Sequence, residues 1–202
     1  MDINFHGTAA TAHASMNAWL PDEPEKTGII RSTEPRHLIF TTSLLALITI
    51  PGYASYSPAK SALKSLADTL ALEVLLYEQS HTPIKVHACF PATIYSTGFE
   101  HEQKLKTDLT KKLEESDEGQ TPEVVARECI AGLEAGEEYV VTAFLTRLIK
   151  AANLGPSMRS GFGVVDTLLS FVATIAMPFV RKDYESRIRS WAKEYGTSGY
   201  KN

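Results

Sequence analysis

The sequence predicts an α/β fold, because stretches with the character of buried strands alternate with long helical patterns. Residues 36–42 read as one strand, and the apolar run Ile84–Phe90 reads as another. Between them, residues 55–77 repeat apolar side chains at the spacing of an amphipathic helix. Strands joined by a helix of this length pair in parallel, so these three segments predict a parallel sheet with a helix packed on it.

Further elements are predicted on both sides of this unit. Residues 1–19 carry apolar side chains at helical spacing, whereas residues 20–36 are rich in proline and charge and predict an exposed loop. Thr121 and Pro122 are a capping residue and a first-turn proline, which together mark the start of a helix. Residues 139–142 predict a short strand at the edge of the sheet.

Composition limits the possible functions. The chain has 202 residues, which is enough for one domain with a sizeable core. Twenty basic and 24 acidic residues give a net charge of −4, which argues against general nucleic-acid binding. The two cysteines, Cys89 and Cys129, lie in apolar patterns and lack the spacing of zinc ligands. We therefore expect buried free thiols and no metal site.

Three residues around the start of the long helix have a spacing typical of proton transfer. Ser43 follows the first strand, Tyr56 lies at the predicted helix start, and Lys60 comes four residues later. Residues four apart share a helix face, so the phenol and the ammonium point into the same space. A neighbouring cation is expected to lower the tyrosine pKa from about 10, which would let the phenol exchange a proton with a carbonyl or alcohol oxygen. The bare pair also occurs by chance, with the lysine as an ordinary solvated side chain.

The context of these residues is more specific than the pair alone. With the strand before Ser43, Pro58 in the first helical turn and the helix behind it, the segment resembles the catalytic segment of the short-chain dehydrogenase/reductase family. The resemblance implies the C-terminal portion of a Rossmann-like doubly wound parallel sheet. It also implies hydride transfer between a nicotinamide cofactor and a carbonyl or alcohol.

The resemblance assigns a role to each catalytic residue. Tyr56 would be the acid, Lys60 would lower its pKa and bind the cofactor ribose, and Ser43 would hold the substrate oxygen. Asn4 would anchor a water in the proton relay, although an asparagine at a helix start can equally be a cap. The first helix and the helix that carries Tyr56 and Lys60 would form a homodimer interface.

A second segment follows the strand Ile84–Phe90. It resembles the family's Pro-Gly-x-x-x-Thr motif, which holds the nicotinamide carboxamide, but Ala92 stands in place of the glycine and Ser96 in place of the threonine. An ordinary proline-ended strand is the alternative. The expected cofactor is NADPH, and the expected cofactor-binding residues come from both segments: Tyr56, Lys60, Pro91, Ile94 and Ser96. Residues 101–115 would form the charged lid that closes over the substrate.

The family's first half is not found in this sequence. No glycine-rich turn follows a strand, so nothing places a pyrophosphate on a helix N-terminus. We expect either a truncated piece of a longer reductase or a half-domain that has lost cofactor binding, with one sheet edge uncovered. This argues against reductase activity from the 202 residues alone.

The sequence is expected to divide into a catalytic part, residues 1–150, and an apolar helical tail, residues 151–202. Residues 162–180 are almost all apolar. As a helix these nineteen residues would be about 28 Å long, which is close to the hydrocarbon thickness of a bilayer. A spanning helix, a helix in the membrane plane, a wall over a lipid-sized pocket and a core helix all fit this pattern.

Charged residues in and around the tail favour a shallow membrane helix. Asp166 and Pro178 argue against a full span, since an acid is costly in lipid. Arg159, Arg181 and Lys182 flank the run and could meet anionic headgroups. We therefore expect membrane association, with Asp166 hydrated near the interface.

The segment from Phe90 to Phe99, the helix start at Thr121 and the apolar tail together resemble one branch of the family, the 3-ketodihydrosphingosine reductases. This resemblance implies a long-chain lipid ketone as substrate, with NADPH-dependent reduction of 3-ketosphinganine to sphinganine in sphingolipid synthesis. It also implies a location at the cytosolic face of the endoplasmic reticulum membrane. The alternatives are a steroid or retinol dehydrogenase of the same family, and a non-catalytic membrane-associated fragment.

Overall fold

The structure, a computed structural model, describes residues 1–21, 32–78, 80–153, 163–197 and 199–201. Most of the expected loop at 20–36 therefore lies outside the described residues. Arg159 and Phe162, which were expected to flank and begin the apolar run, also lie outside them.

A parallel sheet of three strands forms the centre of the described fold. The strands are Arg36–Thr41 (β1), Ile84–Phe90 (β2) and Tyr139–Val141 (β3), in the order β1-β2-β3. Thr41 pairs with Cys89, and β3 pairs with the last three residues of β2, so the carboxyl ends of the strands meet at one edge. The predicted parallel sheet is confirmed. Ligands of open α/β sheets bind outside such an edge.

Helices alternate with the strands, as the sequence predicts. They are α1 (Thr8–Trp19), α2 (Ser57–Glu73), α3 (Thr97–Leu105), α4 (Asp108–Leu113), α5 (Pro122–Glu134), α6 (Phe144–Asn153) and α7 (Val164–Tyr195). The expected charged lid is thus two short helices, α3 and α4. The side chain of Thr121 caps α5 by accepting the N–H of Val124. One feature was not predicted: the residues before α1, Asp2–Gly7, form a π-helix.

The core lies between the sheet and helices α1 and α2. Phe40, Leu63 and Phe90 are almost fully buried in it, and Ala67 is small enough to bring α2 close to the sheet. Along β1, alternate side chains face away from this core, and Ile39 is 47% exposed. No further strand pairs with β1 among the described residues. Within those ranges β1 is therefore an edge strand, and the expected uncovered edge stays a prediction.

The two cysteines are free, but only one of them is buried. Burial raises the pKa of the Cys89 thiol to about 12. Cys129 is partly exposed, so the expectation of a second buried thiol is wrong. Within the ranges that the structure describes, no group of three or more histidine, cysteine or acidic side chains could hold a metal ion.

The tail helix α7 is fastened to the rest of the protein near both of its ends. Near its start, the carboxylate of Asp166 lies 3.5 Å from the ammonium of Lys150 on α6, and both side chains are buried. Near its end, Arg187 donates a hydrogen bond of 3.2 Å to the carbonyl of Lys112, and Trp191 is buried. The expectation of a hydrated Asp166 is therefore wrong, since a buried lysine compensates its charge instead of water.

Between these two attachments, α7 exposes a broad apolar face. Eight large side chains are between 40% and 76% exposed: Val164, Val165, Leu168, Phe171, Val172, Ile175, Phe179 and Val180. By length and composition the helix could cross a membrane. Only 11% of its most apolar 18-residue stretch is buried. The core helix of a soluble protein is mostly buried, and within the described ranges α7 is not.

The buried ion pair between α6 and α7 leads to a stability prediction. Lys150→Met should lower the free energy of unfolding by about 3 kcal/mol, because it removes the cation beside a buried carboxylate. Arg189→Met removes a cation from an exposed pair with Glu185 and should cost less than about 1 kcal/mol. Urea unfolding of both variants measures the difference. Equal losses would show that the buried pair does not fasten α7.

Candidate active site

A cavity of about 700 Å³ opens at the carboxyl ends of β1 and β2. Its volume is within the usual range of ligand pockets. Six of the residues that the sequence assigns to catalysis or cofactor binding line it: Ser43, Tyr56, Lys60, Pro91, Ile94 and Ser96. The N–H of Leu44 donates a 2.9 Å hydrogen bond to the carbonyl of Pro91. The segments that follow the two strands are therefore joined directly at the cavity wall.

Tyr56 and Lys60 are held by the first turn of α2. The N–H of Lys60 donates to the carbonyl of Tyr56 at 3.1 Å, and Pro58 lies in the first helical turn. The Lys60 ammonium lies 5.6 Å from the centre of the Tyr56 ring and donates to the carbonyl of Thr41 at 3.1 Å. The predicted sharing of one helix face is confirmed. The bond to Thr41 fixes the lysine at the end of β1.

Ser43 is held by the turn that follows β1. Its hydroxyl accepts the N–H of Leu45 at 3.2 Å and begins a short 3₁₀ helix, Leu44–Ala46. The hydroxyl also acts as a hydrogen-bonding neighbour of the Tyr56 phenol and lowers its pKa. Serine and tyrosine thus face the same part of the cavity.

The pKa of Tyr56 is nevertheless raised from its ordinary value, which corrects the expectation that Lys60 lowers it. Burial of the phenol is the largest cause, and the charge of Glu102 adds to it. Burial also lowers the pKa of Lys60. The cost of desolvating a phenolate outweighs the effect of Ser43 in this structure. Tyr56 is therefore protonated at neutral pH, as an ordinary tyrosine is, and is a weaker acid than a free phenol.

Asn4 lies in the π-helix before α1 and is partly buried. It is not among the described residues that line the cavity. Its role in a proton relay stays a prediction.

The segment after β2 has groups that fit a carboxamide. Ile94 forms a parallel bridge with Gln120: the N–H of Tyr95 donates to the carbonyl of Gln120, and the N–H of Gln120 donates to the carbonyl of Thr93. In this parallel bridge the hydrogen bonds to Gln120 are made by the residues before and after Ile94. The N–H and C=O of Ile94 itself therefore point away from Gln120. Neither is hydrogen-bonded within the described ranges. Ser96 accepts a first-turn N–H of α3 at 3.2 Å, which fixes its hydroxyl beside them.

Comparison with known proteins agrees with this geometry. Residues 1–108 match the family model described as short chain dehydrogenase. The chain belongs to the short-chain dehydrogenase family.

Several relatives from fungi are similar over almost the whole chain. The 3-ketodihydrosphingosine reductase gsl-3 of Neurospora crassa is 44% identical over 97% of this chain and 52% of its own length. The 3-ketodihydrosphingosine reductase ksrA of Aspergillus fumigatus is 39% identical over 97% of this chain and 55% of its own. The 3-ketodihydrosphingosine reductase TSC10 of Saccharomyces cerevisiae is 28% identical over 96% and 55%. The chain therefore spans about half the length of each of these relatives.

This short-chain dehydrogenase also has a polar cluster that sequence reasoning missed. The phenol of Tyr53 lies 2.7 Å from a carboxylate oxygen of Glu102 and 2.7 Å from one of Glu114. Lys106 bridges the same two carboxylates at 3.0 and 2.7 Å and is 8% exposed. We call these four residues the lid cluster. Burial and the two glutamates raise the pKa of Tyr53.

The lid cluster joins three parts of the cavity wall. Tyr53 belongs to the loop before α2, Glu102 to α3, and Glu114 to the end of α4. Next to it, the hydroxyl of Thr110 on α4 donates to the carbonyl of Pro51 at 3.0 Å. The spacing of Glu102 and Lys106 indicates a helical ion pair, but Tyr53 is too far along the chain for any local pattern to find it.

The lid cluster leads to a prediction about local opening. Tyr53→Phe removes the phenol proton that the glutamates share, and a hydrogen bond to a charged group is worth about 1.5 kcal/mol or more. Amides of α3 and α4 should then exchange with deuterium about tenfold faster. Tyr77→Phe, four residues beyond the C-terminal end of α2, serves as the control and should leave these rates unchanged. Unchanged exchange in Tyr53→Phe would show that the cluster does not hold the lid.

Proposed function

We propose that this chain carries the proton-transfer half of an NADPH-dependent reductase that converts 3-ketosphinganine to sphinganine. The observation that carries the proposal is that Ser43, Tyr56 and Lys60 line one cavity together with Pro91, Ile94 and Ser96. Two relatives that are 44% and 39% identical over 97% of this chain bear the name 3-ketodihydrosphingosine reductase. Because the chain spans only about half of them, their activity is a proposal here.

The residues of the cavity divide the reaction between them. NADPH supplies the hydride when it is bound. Tyr56, whose raised pKa keeps its proton at neutral pH, donates that proton to the ketone oxygen. Ser43 holds the same oxygen, and its effect on the phenol pKa favours the phenolate that remains afterwards. Lys60 is fixed by the carbonyl of Thr41 and has two further N–H groups to offer the ribose hydroxyls.

The groups after β2 fit the cofactor's other end. A carboxamide needs an acceptor and a donor, and the carbonyl and N–H of Ile94, which have no partner within the described ranges, supply both. Ser96 adds a hydroxyl whose oxygen is already fixed by α3. These three groups would set which face of the nicotinamide meets the ketone.

Charge in the cavity favours an aminoketone over a steroid or retinoid. Glu102, Glu114 and Asp117 line the wall together with Lys60 and Lys106, so the wall carries three carboxylates and two ammonium groups. The amine beside the ketone of 3-ketosphinganine is cationic at neutral pH, whereas steroids and retinoids are neutral. A cationic head is attracted to such a wall.

The tail helix supports a location on a membrane, which we propose to be the cytosolic face of the endoplasmic reticulum. Because α7 is fastened to α6 near its start and to α4 near its end, its apolar face lies along one side of the protein. This arrangement favours a helix in the membrane plane over a spanning one. Arg181 pairs with Glu185 at 2.9 Å, so it offers headgroups less charge than the sequence predicts. Exposed Leu72 and Leu76 near the end of α2 support the proposed homodimer through α1 and α2.

The chemistry can be tested with the chain fused behind the glycine-rich strand–turn–helix unit of a family member. Tyr56→Phe should lower NADPH-dependent reduction of 3-ketosphinganine by about 10²–10⁴-fold, because only the proton donor is lost. Lys60→Met should lower both the rate and the affinity for NADPH. NADPH oxidation and calorimetry measure the two effects.

Two comparisons complete this test. Tyr95→Phe alters a phenol that does not line the cavity and should keep the rate. A neutral long-chain ketone, a steroid ketone and retinal should be poorer substrates than the aminoketone. Near wild-type turnover in Tyr56→Phe would overturn the acid assignment, and preference for a steroid or retinal would overturn the proposed substrate.

The membrane proposal predicts liposome binding through α7. Phe171→Asp with Phe179→Asp places two charges on the exposed apolar face and should abolish flotation with phosphatidylcholine–phosphatidylserine vesicles. Ile130→Asp changes an exposed apolar residue on α5 and should float like the unaltered chain. If the unaltered chain stays soluble and monodisperse without detergent and does not float, α7 is not a membrane helix.

A further inference from the structure

A second cavity of about 650 Å³ lies beside the active site, between the loop that follows Ser43 and the middle of α7. We call it the alkyl groove. Its apolar wall comes from both elements: Leu47, Ile48, Ile50, Met177, Val180 and Ile188. A cavity of this size and lining is typical of a site for an apolar ligand.

The alkyl groove shares a wall with the active-site cavity. Ile50, Gly52 and Tyr53 line both of them. The Pro51-Gly52 turn is the ridge between the two. Gly52 has a φ of +100°, and a Cβ there would lie 2.5 Å from the hydroxyl of Thr110, so only glycine brings the loop this close to the lid helix α4. The ridge is therefore held in place by α4.

The position of the groove along α7 indicates what occupies it. Met177 and Val180 are at the end of the exposed apolar face, and Arg181 and Glu185 begin the polar part of the helix. The groove thus lies between the apolar face of α7 and the loop that also lines the cavity containing Tyr56. A ligand whose polar head lies at Tyr56 and whose saturated tail crosses the Pro51-Gly52 turn would place that tail in the groove, out of water.

We propose that the alkyl groove binds the hydrocarbon chain of the lipid ketone while its ketone lies at Tyr56 and Ser43. The proposal rests on the proposed function, since it names where the tail of that substrate lies. The groove would then select substrates by the length of their hydrocarbon chain. Each methylene that enters it should tighten binding by about fourfold.

Photolabelling of the 202-residue chain in detergent micelles tests the proposal without requiring hydride transfer. The probe is a saturated 2-amino-1-hydroxy-3-ketone of sphingoid length with a diazirine near its methyl end. Mass spectrometry should find label on the Leu47–Ala54 and Met177–Ile188 segments. Unlabelled long-chain ketone should compete, and a short-chain analogue should compete at least 100-fold less well.

A matched pair of variants checks the site. Ala54 lines the groove but not the active-site cavity, and it is exposed. Ala54→Trp should fill the groove and lower labelling at least tenfold, whereas Ala126→Trp on the exposed side of α5 should label like the unaltered chain. Label outside the groove, or full labelling of Ala54→Trp, would overturn the proposal.

A third arm separates the substrate chain from membrane lipid. A phosphatidylcholine probe with the same diazirine should label the exposed face of α7 and not the groove. Groove labelling by that probe that the ketone cannot compete would show that the groove holds membrane lipid, and the proposal would fail. If the fused protein reduces the ketone but the label lies outside the groove, the proposed binding site for the hydrocarbon chain is wrong and the proposed function stands. If the groove is labelled but the fused protein does not reduce the ketone, the proposed function is wrong.

Discussion

The parallel pairing of β1 with β2 determines where the candidate groups that line the active-site cavity lie. Hydrogen bonding between the two segments continues past the strands: Thr42 donates to the carbonyl of Cys89, and Leu44 donates to that of Pro91, both at 2.9 Å. Ser43 is therefore held beside the segment that contains Ile94 and Ser96. A slip of register by one residue would turn Ser43 to the opposite face. β2 resists such a slip, because nearly all of its side chains are buried, on both faces of the sheet.

The loop between Ser43 and α2 is the second constraint, since it forms part of two cavities. Its Pro51-Gly52 turn is pinned by Thr110, and its Tyr53 belongs to the lid cluster. The same loop meets α7 across the alkyl groove. Lid, active site and tail helix are thus coupled through a few loop residues rather than through the sheet. The expected boundary between the catalytic part and the tail, at residue 150, falls inside α6, and the buried pair of Lys150 with Asp166 of α7 joins the two parts.

Those parts of the site that depend on local spacing could be predicted from the sequence. Tyr56 and Lys60 follow from helical geometry, and the caps at Thr121 and Pro122 follow from the chemistry of a helix start. Contacts between distant residues could not be predicted in this way. Tyr53 meets Glu114 across 61 residues of chain, and Lys150 meets Asp166 only because α6 and α7 pack together. No pattern along the sequence encodes either contact.

The direction of the Tyr56 pKa shift is the clearest case of tertiary structure overriding a local rule. Spacing alone placed a cation near the phenol and so predicted a lower pKa. Whether the cation or burial dominates depends on how much water the folded chain excludes, and here burial dominates. Burial keeps the phenol protonated but makes it a weaker acid, since a general acid works best when its pKa lies near the working pH. Ser43 opposes the shift, and a phenolate formed by proton transfer would be stabilised by its hydroxyl. The site therefore holds the proton in the resting state and still has a group that favours its release.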